Sequence, residues 1–175
     1  MTCIIRDLVE LSGIADSFPY CPNAFTEISI DENVIIPDQK PDAEQILKVI
    51  ADVIIINKRI IKTPIGKGVS GIISTGVKLV LEGILRQKII YVADEPTQSV
   101  HVAEFEKPFS TFIILPKAQI PITPSLCDQV CVEAYIEDIY AKQIDKRTIF
   151  KNITIFLNAT STLFCHNNID KPNDL

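Results

Sequence analysis

The sequence predicts an all-β domain, an antiparallel β-sandwich of about eight strands with jelly-roll or Ig-like connections. Apolar and polar residues alternate with the period of two that a half-buried strand requires, and turns rich in Pro, Gly, Asn and Asp recur at short intervals. The 3.6-residue periodicity of amphipathic helices is almost absent. We divide the chain into an N-terminal arm (1–24), the β-sandwich domain (25–159) and a short C-terminal tail (160–175).

The N-terminal arm combines an apolar segment with a linker that contains prolines. Residues 3–11 suit either a strand or one short helix, and periodicity does not decide between them. Residues 12–23 contain Pro19 and Pro22, which favour an extended backbone with few hydrogen bonds. The arm therefore either folds back onto its own domain or reaches across to another copy.

The first half of the domain contains two predicted strands. Residues 25–36 alternate and form one strand, and residues 49–61 form a second, interrupted by a bulge or bend at Asn57-Lys58. Between them, residues 41–47 begin with acidic residues and continue with good helix formers, so one or two turns of helix are expected there.

Two long apolar strands, 77–93 and 100–115, organise the middle of the chain and are joined by a turn at 94–99. Both are expected to be bent. Gly83 marks a kink, a bulge or a close backbone approach in the first strand. Pro108 marks an edge or a break in the second, because proline cannot donate to a sheet ladder.

The last two strands are predicted at 127–139 and 148–159, around a turn at 143–147. Each has one apolar face and one polar face, so one side of each strand is expected to face the core. The inward residues are Val130, Val132, Ala134 and Ile136 in the first strand and Ile149, Ile153, Ile155 and Leu157 in the second; Asn152, Thr154 and Asn158 are expected to point outward.

Charge and hydropathy exclude several classes of partner. The net charge of −5 argues against nucleic acid, because phosphate binding needs clustered Lys and Arg. No uncharged apolar run approaches the ~20 residues that span a bilayer. Residues 1–11 carry Arg6, Asp7 and Glu10, which interrupt the apolar core that a signal peptide needs. We therefore expect synthesis in a cytoplasm without a signal peptide, and no membrane partner.

The residues that could carry chemistry are few. The G-x-G-x-x-G pattern at 66–71 is followed by β-branched residues instead of a helix, so a flexible hairpin loop is predicted rather than a dinucleotide site. The chain contains two histidines, His101 and His166, and His101 lies between two valines in a strand. We predict no catalytic residue, no cofactor and no small-molecule substrate.

A zinc site would have to use Cys127, Cys131, Cys165 and His166. Neighbouring residues on a strand point to opposite faces, so Cys165 and His166 do not easily share one ion. We predict no metal.

The five cysteines are candidates for disulfides between subunits. An odd number leaves one thiol over even after complete internal pairing. Two alternatives stay open, namely a bond between two cysteines of one arm, Cys3 and Cys21, and free thiols that pack as small apolar residues. The candidates are Cys3, Cys21, Cys127, Cys131 and Cys165.

Several motifs, in order along residues 25–159, resemble the SPOCS domain family. They are IPDQKPDAEQIL at 36–47, LEGILRQKIIYVAD at 81–94, QSVH at 98–101, FEKPF at 105–109, VEAYIED at 132–138 and TIFKNITIFLNA at 148–159. The chain is similar to the short, single-domain members. It has no segment similar to the LysM module of longer relatives, so peptidoglycan binding is not carried over.

The resemblance implies a non-catalytic structural role at the surface of a bacterial spore, in the coat, the exosporium or a surface filament. Two hypotheses follow. In the first, the protein assembles with itself through sheet edges, an exchanged arm and intersubunit disulfides, together with other spore coat proteins. In the second, it is an adaptor that binds a spore morphogenetic protein and links it to the coat.

Overall fold

The structure, a computed structural model, describes residues 2–20, 22–67, 73–116 and 127–161, and these form ten β-strands. The strands are β1 (Thr2–Arg6), β2 (Val9–Ile14), β3 (Phe25–Ile35), β4 (Ala43–Lys62), β5 (Gly66–Lys67), β6 (Ile73–Ser74), β7 (Val77–Ala93), β8 (Val100–Ile114), β9 (Cys131–Gln143) and β10 (Thr148–Thr160). The predicted all-β class is confirmed. Most of the C-terminal tail, with Cys165 and His166, lies outside the described residues, as does Cys21.

Eight strands form one sheet in the order β3-β10-β9-β2-β4-β7-β8, with β1 paired to β2 at the side; β5 and β6 form a separate two-stranded sheet. The end strands β3 and β8 lie next to each other, and Lys107 of β8 is 3.8 Å from Glu32 of β3. The large sheet is therefore nearly barrel-shaped. It is not divided into two packed sheets, so the sandwich with jelly-roll or Ig-like connections is not confirmed.

The prediction of a purely antiparallel sheet is wrong. Strand β2 runs parallel to β4, with Glu10–Ser12 opposite Lys48–Ile50, and parallel to β9, with Ile14 opposite Ile136. The other ladders are antiparallel. Parallel pairing requires a long connection between the strands, and the Pro-containing linker and β3 supply it here.

The hairpin β1-β2 fills the space between β4 and β9, which we call the β4/β9 gap. Leu11 and Ile14 point from the hairpin into the core and are buried. On one side the Glu10 carboxylate accepts a hydrogen bond from Lys48 of β4, and on the other Arg6 pairs with Asp138 of β9 at 2.7 Å. Of the two alternatives for the N-terminal segment, the structure has the one in which it folds back onto its own domain.

Gly13 lets β2 approach β4 closely. It is the unpaired residue at a bulge in the β1-β2 ladder, between Ser12 and Ile14, and its φ is +112°. A Cβ atom at this position would lie 2.1 Å from the carbonyl oxygen of Ala51 in β4. Both the left-handed backbone and the absence of a side chain are therefore needed for the hairpin to lie in the gap.

The inner faces of the long strands provide a core of aliphatic residues. Alternate residues of β7, from Val77 to Ala93, are buried, and the inner residues of β10 show the same alternation. Leu79, Leu81, Leu85, Ile89, Ile139, Ile149, Ile153 and Ile155 are among the fully buried side chains. At ~1.5–3 kcal/mol for each such side chain, this burial is the main favourable term in folding.

The segment before β3 covers part of the outer face of the sheet. Phe18 packs edge-on against Phe156 of β10 and Tyr135 of β9, with ring centroids 5.6 and 6.0 Å apart, and Phe25 stacks on Phe156. Asn158, predicted to point outward into solvent, lies on this covered face and is 0% exposed. The alternating pattern therefore assigned Asn158 to the correct face of the strand. That face is not in contact with water, because the segment before β3 covers part of it.

The predicted helix at residues 41–47 is wrong, because β4 begins at Ala43 and pairs with β7 from Ala93 onward. The predicted interruption at Asn57-Lys58 is confirmed, since the β4-β7 register shifts between Ile55 and Asn57. Residues 127–130, predicted as the start of a strand, precede β9, which begins at Cys131.

Two special residues of β7 and β8 behave as predicted. At Gly83 the backbone is approached closely, since a Cβ atom there would lie 2.5 Å from Cζ of Phe109 on the neighbouring strand. Pro108 lies in β8, an end strand of the sheet.

The G-x-G-x-x-G segment is followed by a strand instead of a helix. It begins in β5, and beyond its last glycine Ile73–Ser74 form the partner strand β6. Residues 68–72 lie outside the described part.

Candidate functional site

A cluster of polar side chains lies inside the barrel where β3 and β8 meet, and we call this junction the β3/β8 seam. Lys151 of β10 and Gln87 of β7 are 1% and 3% exposed, although each lies on a strand face that is otherwise apolar. Glu32 of β3 stands opposite Lys151 in the β3-β10 ladder. Strands β7 and β10 are not neighbours in the sheet, so the contact between their side chains crosses the interior.

The three side chains form a closed triangle of hydrogen bonds. The Lys151 ammonium donates to Oε1 of Gln87 and, at 3.3 Å, to Oε1 of Glu32. The Gln87 amide nitrogen donates to the same carboxylate oxygen at 2.6 Å. The Phe105 ring centroid lies 5.3 Å from Nζ of Lys151, within the range of a cation–π contact. Each charge and amide in the triangle is thus partnered, as burial demands.

Burial and charge shift the pKa values of this cluster. Removal from water lowers the pKa of Lys151 to about 8, although the neighbouring Glu32 acts in the opposite direction. For Glu32, burial raises the pKa, but the hydrogen bond from Gln87 and the charges of Lys151 and Lys107 outweigh it, so the pKa lies below its usual range. At neutral pH the carboxylate is ionised, and the lowered pKa makes the neutral amine of Lys151 more accessible than that of an exposed lysine.

The seam cluster joins two strands that share no ladder. Among the described residues no backbone pairing connects β3 to β8, and the sheet path ends at these two strands. Glu32 reaches Lys107 of β8 as well as Gln87 of β7. Side chains therefore close the barrel here.

Lys151 was not among the residues predicted to face the core. The signal was present, because position 151 shares its face with Ile149 and Ile153 and must point inward whenever they do. A lysine on an apolar face is rare unless it is paired. Nothing in the sequence indicated that its partners would be Glu32 and Gln87, which are distant along the chain.

The contacts of His101 differ from those of a catalytic relay. Its Nε2 lies 2.8 Å from Oγ of Ser99 and 3.9 Å from Oε1 of Glu95, and the Ser99 hydroxyl also contacts Glu95. A nucleophile–base–acid relay needs the carboxylate on the other ring nitrogen, so that the hydroxyl and the carboxylate act on opposite sides of the imidazole. The ring also stacks on the buried Tyr91 at 5.9 Å. This arrangement is a polar turn contact at the strand end.

Three of the five candidate cysteines lie in the described part of the chain, and all three are free thiols. Cys3 and Cys131 are exposed. Cys127 is half-buried, and its thiol donates to the carbonyl of Lys58 at 3.3 Å. Cys21 and Cys165 lie outside the described residues, so the proposed Cys3–Cys21 pair is not tested.

Cys3 and Cys131 differ in their surroundings. The Cys3 thiol is hydrogen-bonded to the Glu10 carboxylate, and this bond is the main cause of a raised thiol pKa. A raised pKa lowers the thiolate fraction, and the thiolate is the reactive form. Cys131 opens β9 opposite Thr160 at the end of β10.

The outer face of β4, β7 and β8 carries rows of opposite charges around a shallow hollow of about 300 Å³. Arg86 pairs with Glu106 at 3.0 Å, and Lys88 pairs with Glu104 at 2.8 Å. These side chains are about half exposed or more, and exposed pairs of this kind contribute little to stability. The buried Gln87 lines the hollow together with these charged residues.

Within the described ranges, no group of three or more His, Cys, Asp or Glu side chains is placed to hold a metal ion. No helix in the same part of the chain is long and apolar enough to cross a membrane.

The fold and the cluster define a small all-β domain that closes on itself as a nearly barrel-shaped mixed sheet. The family model described as SipL, SPOCS domain, matches residues 42–144, and the chain belongs to this family. The match runs from the start of β4 to the end of β9 and leaves β1–β3 and β10 outside it. Membership makes this a sporulation-related protein. No curated protein and no solved structure gives a significant match.

Proposed function

We propose that this protein is a non-catalytic structural subunit of the bacterial spore surface, in the coat, the exosporium or a surface filament, and that it assembles with copies of itself. The observation that supports this most directly is the presence of two exposed thiols, Cys3 and Cys131, on strands of a domain whose core is complete within one chain. A disulfide from either would fasten a neighbouring subunit without disturbing the fold.

Cys131 is the better candidate for such a bond. The hydrogen bond from Cys3 to Glu10 holds the thiol form and slows its reaction, whereas Cys131 is exposed at the start of β9. Within one chain, β1 and β2 contribute Leu11 and Ile14 to the core, so an exchanged arm would have to make these same contacts in a neighbouring copy. Pairing through the edge of β8 is restricted by Pro108 and by charged residues along the strand.

Electrophoresis of the purified full-length chain with and without reductant tests the proposal. We expect high-molecular-weight species without reductant that collapse toward 19.5 kDa with it, and ordered assemblies by negative-stain microscopy. Cys131→Ser should remove most of the cross-linked material. Cys127→Ser is the matched control, because that thiol is half-buried and hydrogen-bonded to Lys58. Monomers in both gels, with a single monodisperse species in solution, would contradict self-assembly.

An adaptor that binds a spore morphogenetic protein and links it to the coat is the second candidate. The observation in its favour is that β8, an end strand of the sheet, exposes apolar side chains at both of its ends, Val100 and Val102 at the start and Phe112 near the end. An adaptor should stay monodisperse without reductant and bind one partner with fixed stoichiometry. A double variant, Cys3→Ser with Cys131→Ser, should keep that binding if the adaptor role is correct and lose assembly if the structural role is correct.

A further inference from the structure

The triangle of Lys151, Gln87 and Glu32 brings together the groups needed to make an amide bond. It contains a primary amine, a carboxamide and a carboxylate, all in mutual hydrogen-bond contact and nearly removed from water. We propose that Lys151 and Gln87 form a covalent side-chain amide bond inside the barrel, with release of ammonia and with Glu32 carrying the proton. This modification site is independent of the proposed function.

The contacts place each group where the reaction needs it. Nζ of Lys151 contacts Oε1 of Gln87, which is bonded to the Cδ atom that the amine must attack. The Glu32 oxygen that contacts Nζ at 3.3 Å also contacts Nε2 of Gln87 at 2.6 Å. One carboxylate oxygen therefore touches both the nitrogen that must lose a proton and the nitrogen that must gain one.

The reaction balances without an oxidant or a further reactant. The ammonium proton of Lys151 first leaves to solvent, and the neutral amine then attacks Cδ of Gln87 to form the new C–N bond. Glu32 takes a proton from Nζ and passes it to Nε2. The bond between Cδ and Nε2 breaks, ammonia departs, and the new secondary amide keeps one hydrogen on the former lysine nitrogen.

The surroundings favour this reaction over hydrolysis or no reaction. Burial lowers the pKa of Lys151 to about 8, so the nucleophilic neutral amine is populated near neutral pH. The near absence of water leaves the amine as the nucleophile beside the amide. Fixed orientation inside a fold raises the effective concentration of such a pair to very high values, on the order of 10⁵ M or more.

Two neighbouring groups are poorer reactants. Lys107 contacts Glu32 at 3.8 Å, but its side chain is 44% exposed, and it is Lys151 that donates the hydrogen bond to Gln87. Glu32 itself could be an acyl partner for Lys151, with loss of water, but its lowered pKa keeps it as the carboxylate, which is a weak electrophile. The amide of Gln87 is therefore the acyl donor.

The bond would tie together strands that the sheet keeps apart. Strand β7 lies on one side of the barrel and β10 on the other, with β9, β2 and β4 between them along the sheet. A covalent bridge between positions 87 and 151 would close a loop of the chain that reductants cannot open. Such a bridge limits the unfolded chain in the same way as a disulfide does.

Intact-mass measurement of the full-length chain, denatured and reduced, tests the proposal directly. The expected mass is lower than the sequence mass by one ammonia, and proteolysis should release a branched peptide in which the segment with Gln87 is attached to the segment with Lys151. Full sequence mass in the folded wild type, unchanged after prolonged incubation at alkaline pH, would overturn the proposal. A mass lower by one water would overturn Gln87 as the acyl donor.

Variants separate the roles of the residues. Lys107→Met should keep the loss of ammonia, since this lysine takes no part in the reaction, and it is the matched control for Lys151→Met, which should show full mass. Glu32→Gln should also show full mass while circular dichroism reports the native sheet. A cross-link that still forms completely in Glu32→Gln would remove Glu32 from the mechanism.

Discussion

The β4/β9 gap and the β3/β8 seam are the two places where the large sheet does not close through a continuous ladder of long strands. In the gap, the hairpin β1-β2 provides backbone hydrogen bonds to both sides. At the seam, the strands come close without a ladder, and the buried Gln87 and Lys151 make the connection together with the partly buried Glu32.

The two closures respond to different physical quantities. The gap depends on backbone geometry and on the burial of Leu11 and Ile14, and its ion pairs are partly exposed. The seam depends on charged groups that are largely removed from water. A charged group in such a place is costly when it has no partner. A change at the seam should therefore affect global stability strongly, whereas a change in the gap should first loosen the hairpin.

The largest effect is expected from Lys151→Ala. This substitution removes the buried cation beside Glu32 and the connection between positions 87 and 151 that crosses the barrel, so we expect a loss of about 3–5 kcal/mol for the unlinked side chains and a larger loss where the amide bond has formed. Lys107→Ala, at the exposed side of the same cluster, should cost less than about 1 kcal/mol. Urea unfolding monitored by circular dichroism measures both. Equal losses for the two variants would show that burial does not govern the seam.

A smaller effect is expected from Gly13→Ala in the gap. The positive φ alone makes this substitution unfavourable by about 1–3 kcal/mol, and the new methyl group would collide with the carbonyl of Ala51. Hydrogen exchange should show lost protection in β2 while the centre of β7 stays protected. Gly66→Ala is the control, because a Cβ atom there meets nothing within 4 Å. Uniform loss of protection across the sheet would instead show that the hairpin unfolds together with the rest of the domain.

The smallest effect is expected when the pH is lowered, and it should appear in the β1-β2 hairpin at the β4/β9 gap. Hydrogen bonds from Lys48 and then from Cys3 lower the pKa of Glu10. Because the folded-state pKa lies below the unfolded one, the ionised carboxylate stabilises the hairpin at neutral pH, and this contribution is lost as the pH falls through the folded-state pKa. Exchange protection of Glu10–Ser12 should decline over that acidic range in the wild type. In Glu10→Gln it should be lower at neutral pH and nearly independent of pH.

Much of the fold could be predicted from local pattern. Strands β3, β7, β8 and β10 begin within a residue of the predicted positions, because alternation reports which face of a strand is buried. The bulge near Asn57 and the close approach at Gly83 were also indicated by residue type. These features depend on each residue's own conformational preference and on its immediate neighbours.

The features that prediction missed depend on partners far along the chain. Residues 43–47 have good helix formers, yet pairing with β7 makes them a strand. The parallel pairing of β2 and the partners of Lys151 arise from contacts between distant segments, for which a single sequence carries no local signal. Asn158 was assigned to the outer face, and its burial there, where Phe18 packs against the nearby Phe156, is likewise a tertiary effect.

The pairing of β3 with β10 has a consequence for synthesis on the ribosome. Phe25 to Ile35 pair with residues 148–158, so a strand made early has no partner until the last strand has emerged. Ile14 likewise pairs with a residue that is synthesised much later, Ile136. Such long sequence separations slow folding, since the nascent chain must hold apolar strands without their neighbours. A ribosome-stalled chain that stops before Thr148 should leave β3 open to protease, and extension through Thr160 should protect it.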